Sequence, residues 1–138
     1  MEKKTVWDPL RKKPVALTPE EEVRQWFISR LHGLMSVPMH MMMSEVGFSL
    51  AGKKFRADIV VYGRDASPVA VVECKRPDVA IDSSVLDQAV RYNMVLNVRF
   101  IFITNGDRTY VCRRKEDSPG PAYEFVSEVP SYSEMIKR

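Results

Sequence analysis

Two carboxylates and an amine, side chains able to share one metal ion and its water, lie on two neighbouring apolar segments: Asp58 on one, Glu73 and Lys75 on the next. Between them, residues 63–68 are rich in turn formers, including Gly63, Asp65, Ser67 and Pro68, so the two segments read as an antiparallel hairpin. The midpoint of that loop falls between Asp65 and Ala66, which sets Asp58 opposite Glu73. Opposed side chains approach to about 4.5–5.5 Å between Cβ atoms, and like charges there repel. Two facing carboxylates therefore ask for a cation. Lys75 follows Glu73 by two positions, so strand alternation brings it out on the same face while Cys74 turns to the other.

Carboxylate oxygens and water are the ligands a hard cation prefers, and Mg²⁺ is commonly held by one or two carboxylates. Such an ion acidifies a bound water and neutralises charge developing on a phosphoryl group. A lysine beside it can orient or deprotonate the attacking water. The competing reading is a charged strand end closed by ion pairs, Asp58 with Lys75 or Glu73 with Arg76, since such networks also populate ordinary sheets.

These residues need a sheet to hold them. Thr18, Pro19 and Glu21 form a helix start, with a hydroxyl cap, proline at the first helical position and a glutamate three after the cap. Val23, Trp26, Phe27, Leu31 and Leu34 follow at helical spacing, so a helix should run to about Gly33 or Leu34. On that wheel Glu20 lies near the apolar face, while Glu21 and Glu22 point away. Strands are expected over 39–50, 55–62 and 69–75, the first two joined by a turn at 51–54. A second helix, capped by Ser83 or Ser84, should end near Leu96. Strands over 99–104, 110–114 and 123–126 complete the chain. The order gives an α/β domain on one mixed sheet. Residues 1–17 read as an extended arm packing through Trp7 and Leu10, 18–130 as the domain, and 131–138 as a tail.

The 138 residues suit one domain, and 45% apolar content suffices for its core. Apolar runs are far shorter than the roughly 20 residues a spanning helix needs, and the N-terminus lacks the apolar segment of a secretory signal. A cytoplasmic location is expected. Cys74 and Cys112 form no zinc-type spacing with His32 and His40, so buried, reduced thiols are expected. A net charge of +3 permits a polyanionic partner without announcing one; the basic residues cluster at Lys3 to Lys13, Lys53 to Arg56 and Arg113 to Lys115.

The segments 56–62 (RADIVVY) and 71–77 (VVECKRP) resemble the N-terminal nuclease domain of type I restriction enzyme R subunits, a branch of the PD-(D/E)xK superfamily. The segments 18–25 (TPEEEVRQ), 87–93 (DQAVRYN) and 103–106 (ITNG) are similar to that family in the same order. The resemblance implies a restriction-endonuclease-like core of order αβββαβ and Mg²⁺-dependent cleavage of DNA, with Mn²⁺ able to substitute. It implies that Asp58 and Glu73 bind the metal and that Lys75 acts at the attacking water. A glutamate of the first helix, Glu20 or Glu21, adds to the metal shell, and the wheel favours Glu20. Gln88 and Tyr92, four apart on one helical face, match a Q-x-x-x-Y motif that supports the site and contacts DNA. Arg56, Arg76 and Arg91 are the neighbouring cations expected at the nucleic acid.

The large ATP-driven motor of type I R subunits has no counterpart here, and no G-x-x-x-x-G-K-[ST] phosphate loop occurs. No ATP site is expected. A homodimer would let a chain with one site cut both strands, and restriction-modification or repair subunits are natural partners. The alternative to an endonuclease is a DNA-binding or assembly module that keeps the fold without cutting; an RNA-directed nuclease is a weaker third reading. Met39 to Met43 are read as packing rather than as a copper site, His32 as a helix-end group, and Glu45 as structural.

Overall fold

The structure, a computed structural model, describes residues 3–117, 119–120 and 122–137. A six-stranded mixed sheet has the order β3 (Met42–Leu50), β4 (Lys53–Tyr62), β5 (Pro68–Cys74), β6 (Phe100–Thr104), β7 (Thr109–Arg114) and β8 (Tyr123–Val126). β5 and β6 run parallel, and every other neighbouring pair is antiparallel. The parallel step needs a crossover, which α2 (Ser83–Met94) supplies. With α1 (Pro19–Gly33) before β3, the central order is αβββαβ, as expected.

β5 and β6 are the middle of the sheet. Val69 to Val72 and Phe100 to Thr104 are all buried, the near-continuous apolar run that strands covered on both faces require. Two cores result. Phe27, Ile28 and Leu31 of α1 meet Ile59, Val61, Val72 and Cys74 on one face. Ala89 of α2 meets Ala57, Val60, Val71, Ile101 and Ile103 on the other.

Helix starts follow their side chains. Thr18 Oγ1 accepts from Glu21 N at 3.1 Å ahead of Pro19, the predicted arrangement. In α2 the cap is Asp82, not Ser83 or Ser84: its carboxylate accepts from Val85 N at 2.9 Å, and that charge suits the helix dipole. The helix also closes at Met94, short of Leu96. The expected strand over 39–50 begins with a 3₁₀ turn at Met39–Met41. Met42 is buried and Met43 exposed, as alternating packing requires.

The two chain ends depart from the sequence reading. In place of an extended arm, β1 (Thr5–Asp8) and β2 (Lys13–Ala16) pair as a hairpin. Trp7 is 60% exposed, whereas Leu10 does pack on the first core. Ion pairs of Asp8 and Arg11, invisible to an apolar period, hold the hairpin down. At the other end, α3 (Tyr132–Met135) replaces a tail. A Ser131/Glu134 capping box starts it and Met135 is completely buried. Both cysteines are buried free thiols, and among the described residues no helix is long and apolar enough to cross a membrane.

Candidate active site

The hairpin β4–β5 has the register the loop midpoint predicts, with Ile59 opposite Val72 and Val60 opposite Val71. The ladder stops before Asp58 and Glu73. The same irregularity occurs on the other side, where β3 pairs Ser44 with Ile59 and Val46 with Ala57 and leaves Glu45 out, at φ 52°. Side-chain direction flips across this break. Ala57 packs in the second core and Ile59 in the first; Met42 lies in the first core while Val46 and Phe48 pack against the second. Simple alternation would put each of these sets on one face.

The break frees the Asp58 carboxylate from a simple facing pair with Glu73. Its Oδ2 accepts from the backbone N–H of Cys74 at 2.7 Å, and its Oδ1 lies 3.6 Å from Arg24 Nη2. Burial raises the Asp58 pKa from its ordinary value, against the Cys74 N–H and Arg24, with the charges of Glu20 and Glu73 adding to the rise. Three carboxylates thus share one local field.

Glu73 and Lys75 emerge together, as alternation requires, with Lys75 Nζ 2.8 Å from Glu73 Oε2. Cys74 turns into the first core, where burial pushes its thiol pKa well up. The other oxygen of Glu73 accepts from Asn93 Nδ2 at 2.9 Å, and Asn93 is itself fixed by donating to Ala89 O. Past the end of β5, Lys75 N donates to Thr104 O at 2.8 Å. Asn105 then holds the following loop by donating to Val79 O at 2.8 Å. Neither of the ion pairs offered by the competing reading forms: Lys75 pairs with Glu73, and Arg76 with Asp78.

On α1 the wheel placed the glutamates wrongly. Glu21 is the buried one, clasped by Arg11 at 2.6 Å, Arg24 at 3.1 Å and Gln25 at 3.1 Å. The wheel failed because it counted apolar neighbours and could not see the cations. Glu20 is 44% exposed at its side chain, 3.9 Å from Arg24. Of the two glutamates it is the more open toward Asp58.

Arg24, which sequence reasoning did not single out, is the hub. Its buried guanidinium also reaches Glu45 at 3.2 Å, and Glu45 in turn meets Arg11 and Arg56, the latter at 2.7 Å. Glu45 thus belongs to the network around the site, not merely to the strand. A buried charge among apolar neighbours on a helix could have flagged Arg24, because arginine is almost never buried unpaired. Asn93 was visible only as a neighbour of Tyr92 in the 87–93 segment. Tyr92 itself does not touch the carboxylates: its hydroxyl accepts from Arg56 N at 2.9 Å and its ring packs on Phe55. Gln88 and Arg91 lie exposed on α2. His32 binds Val37 O through Nδ1 at 2.9 Å, a structural contact.

Among the described residues no three His, Cys, Asp or Glu groups are arranged to enclose a metal ion. The donor set still suits Mg²⁺, which needs only one or two carboxylates and takes its other ligands from water and substrate. A divalent cation would favour the ionised Asp58 carboxylate, which burial first and the neighbouring acids second disfavour.

The fold has a counterpart among solved structures. A solved fragment described as an HsdR subunit of such an enzyme from Vibrio vulnificus YJ016 superposes with a TM-score of 0.61 at 21% identity, over 88% of this chain and 25% of that one. The family model of the type I restriction enzyme R protein N terminus matches residues 19–130, and the chain belongs to that family. It is 32% identical over 85 residues to the type I restriction enzyme EcoAI endonuclease subunit of Escherichia coli, covering 59% of this chain and 10% of that protein. The chain therefore spans a tenth of that curated relative's length.

Proposed function

We propose that this domain hydrolyses DNA phosphodiester bonds with Mg²⁺, as a PD-(D/E)xK endonuclease of the restriction R-subunit type. What supports this reading is a pair of contacts at one end of β5: Asp58 Oδ2 accepts from the N–H of Cys74, the residue between Glu73 and Lys75, and Lys75 Nζ lies 2.8 Å from the Glu73 carboxylate. Asp58 and Glu73 would hold the ion, with Glu20 the helix carboxylate nearest to join them. Bound Mg²⁺ supplies Lewis-acid stabilisation of the phosphoryl oxygens and a more acidic water. The protein's own contribution is orientation. Asn93 fixes one oxygen of Glu73, the Cys74 N–H and Arg24 fix Asp58, and Lys75 hydrogen-bonds the attacking water.

The exposed cations Arg56, Arg76 and Arg91, with Gln88 and Tyr92 on α2, would meet the nucleic acid beside the site. Family membership supports DNA as the substrate and restriction-modification subunits as partners; a homodimer would serve double-strand cleavage, and a cytoplasmic location fits both. The test is a Mg²⁺- and Mn²⁺-dependent cleavage assay on supercoiled, linear, single-stranded and branched DNA, with a single-stranded RNA arm. Wild-type protein should cut DNA, and Glu73→Ala and Lys75→Ala should not. Equal cleavage by wild type and variants, or none on any substrate, would contradict the proposal. Salt-sensitive binding without turnover would instead fit a non-cutting DNA-binding module.

A further inference from the structure

At the opposite end of the sheet, a cleft of about 640 Å³ opens between the β4–β5 turn, the segment entering β6 and the end of β7. Arg64, Arg99 and Arg114 line it, each delivered by a different one of those elements. Two of the guanidiniums are anchored by neutral groups. Arg114 Nη1 donates to Asn97 O and to Asn97 Oδ1, and Arg99 Nη1 donates to Met135 O at 3.2 Å. The acid nearest Arg99 is Glu116, 3.9 Å away and 76% exposed at its side chain. Among the described residues no carboxylate lies within ion-pair distance of Arg64 or Arg114.

A carbonyl partner orients a guanidinium without cancelling its charge, and the remaining N–H donors stay open to a ligand. Planar donor forks match phosphate oxygens bidentately. Val69, Leu96 and Ile136 also line it, an apolar strip beside the cations that suits a sugar or base attached to a phosphate. Asp65, the acid in the lining, gives Oδ1 to the N–H and hydroxyl of Ser67 across its own turn.

We infer that this cleft is a second anion site, which binds the phosphate of a nucleotide or of a nucleic-acid backbone through Arg64, Arg99 and Arg114. The inference stands apart from the reading of Asp58, Glu73 and Lys75. The two sites lie at opposite ends of β5, whose seven residues span about 20 Å, so one can be lost without the other.

The experiment is an amide NMR titration of the full chain without metal, using three probes: inorganic phosphate, deoxyadenosine monophosphate and a short DNA duplex. Gly63 to Ser67, Asn97, Arg99 and Arg114 should shift with at least one nucleotide-bearing probe. Arg64 makes no hydrogen bond or ion pair among the described residues, so Arg64→Gln should keep the wild-type spectrum; together with Arg114→Gln it should weaken binding about tenfold. Glu73→Ala should leave these shifts in place. A response to the duplex alone marks backbone phosphate as the ligand, and a response to the mononucleotide marks a free nucleotide. Shifts with inorganic phosphate alone, absent shifts, or binding undiminished in the folded variant carrying both Arg64→Gln and Arg114→Gln would overturn the inference.

Discussion

The two ends of β5 carry cations of the same kind in opposite electrostatic settings. At the Cys74 end, Arg24 and Arg11 face Glu21, Glu45, Asp8 and Asp58, and their charges are spent inside the protein. At the Pro68 end, Arg99 and Arg114 are anchored by backbone carbonyls, and the one carboxylate paired with either among the described residues is the exposed Glu116, 3.9 Å from Arg99. A guanidinium among carboxylates is a fixture, and its removal strands buried anions. A guanidinium held by carbonyls remains a binding group. Net charge is blind to this difference, which is why +3 was a poor guide to where the chain could meet a polyanion.

The most severe way to break the carboxylate end is to remove its chemistry. Lys75→Ala should lower the cleavage rate by about 10²- to 10⁴-fold, the usual weight of a positioned acid or base group, with circular dichroism and melting temperature little changed. Arg24→Met should act on stability instead. Removing one partner of a buried ion network costs about 3–5 kcal/mol, read as a lower urea midpoint, whereas Arg64→Gln at the other end should leave that midpoint in place. Asn93→Ala keeps the fold but frees Glu73, and outer-shell losses of this kind cost about 10- to 100-fold in metal affinity or activity. Manganese titration followed by EPR reads it directly.

The smallest effect is acid sensitivity. Burial alone would raise the Asp8 pKa, but hydrogen bonds from Arg11 and Leu10 N–H outweigh it and hold the carboxyl below its ordinary value of 3.8. A depressed native pKa means stability that is complete above the unfolded value and lost as pH falls through the native one. Acid unfolding below about pH 4 should therefore be shallower in Asp8→Asn, by about 1 kcal/mol at most. An identical acid limb in the variant would remove Asp8 from the network.

The strand and helix order was legible because it rests on local patterns: the Thr18-Pro19 start, the turn at 63–68, the run of β-branched residues in β5. So was the placement of Glu73 and Lys75 on one face. What stayed hidden were contacts between residues far apart in sequence. Asp58 sits where side-chain direction flips on both β3 and β4, and no two-residue period announces such a break. Glu21 reads as a solvated residue until Arg11, brought in by the hairpin, is known to cover it. Asn93 and Arg24 needed the helices docked before their partners existed. The arm became a hairpin and the tail a helix for the same reason: each is held by a few specific contacts, such as Tyr132 donating through its hydroxyl to Tyr62 O at 2.8 Å.

Whether the carboxylate end is a metal centre is answered most directly by locating manganese in crystals of this domain, through its anomalous scattering. An ion seated between the carboxylates of Asp58 and Glu73 in wild type, and missing in Glu73→Ala, is the predicted result. Crystals that take up manganese elsewhere only, or that leave Lys75 and Arg24 as the sole cations at those carboxylates under saturating metal, would contradict it.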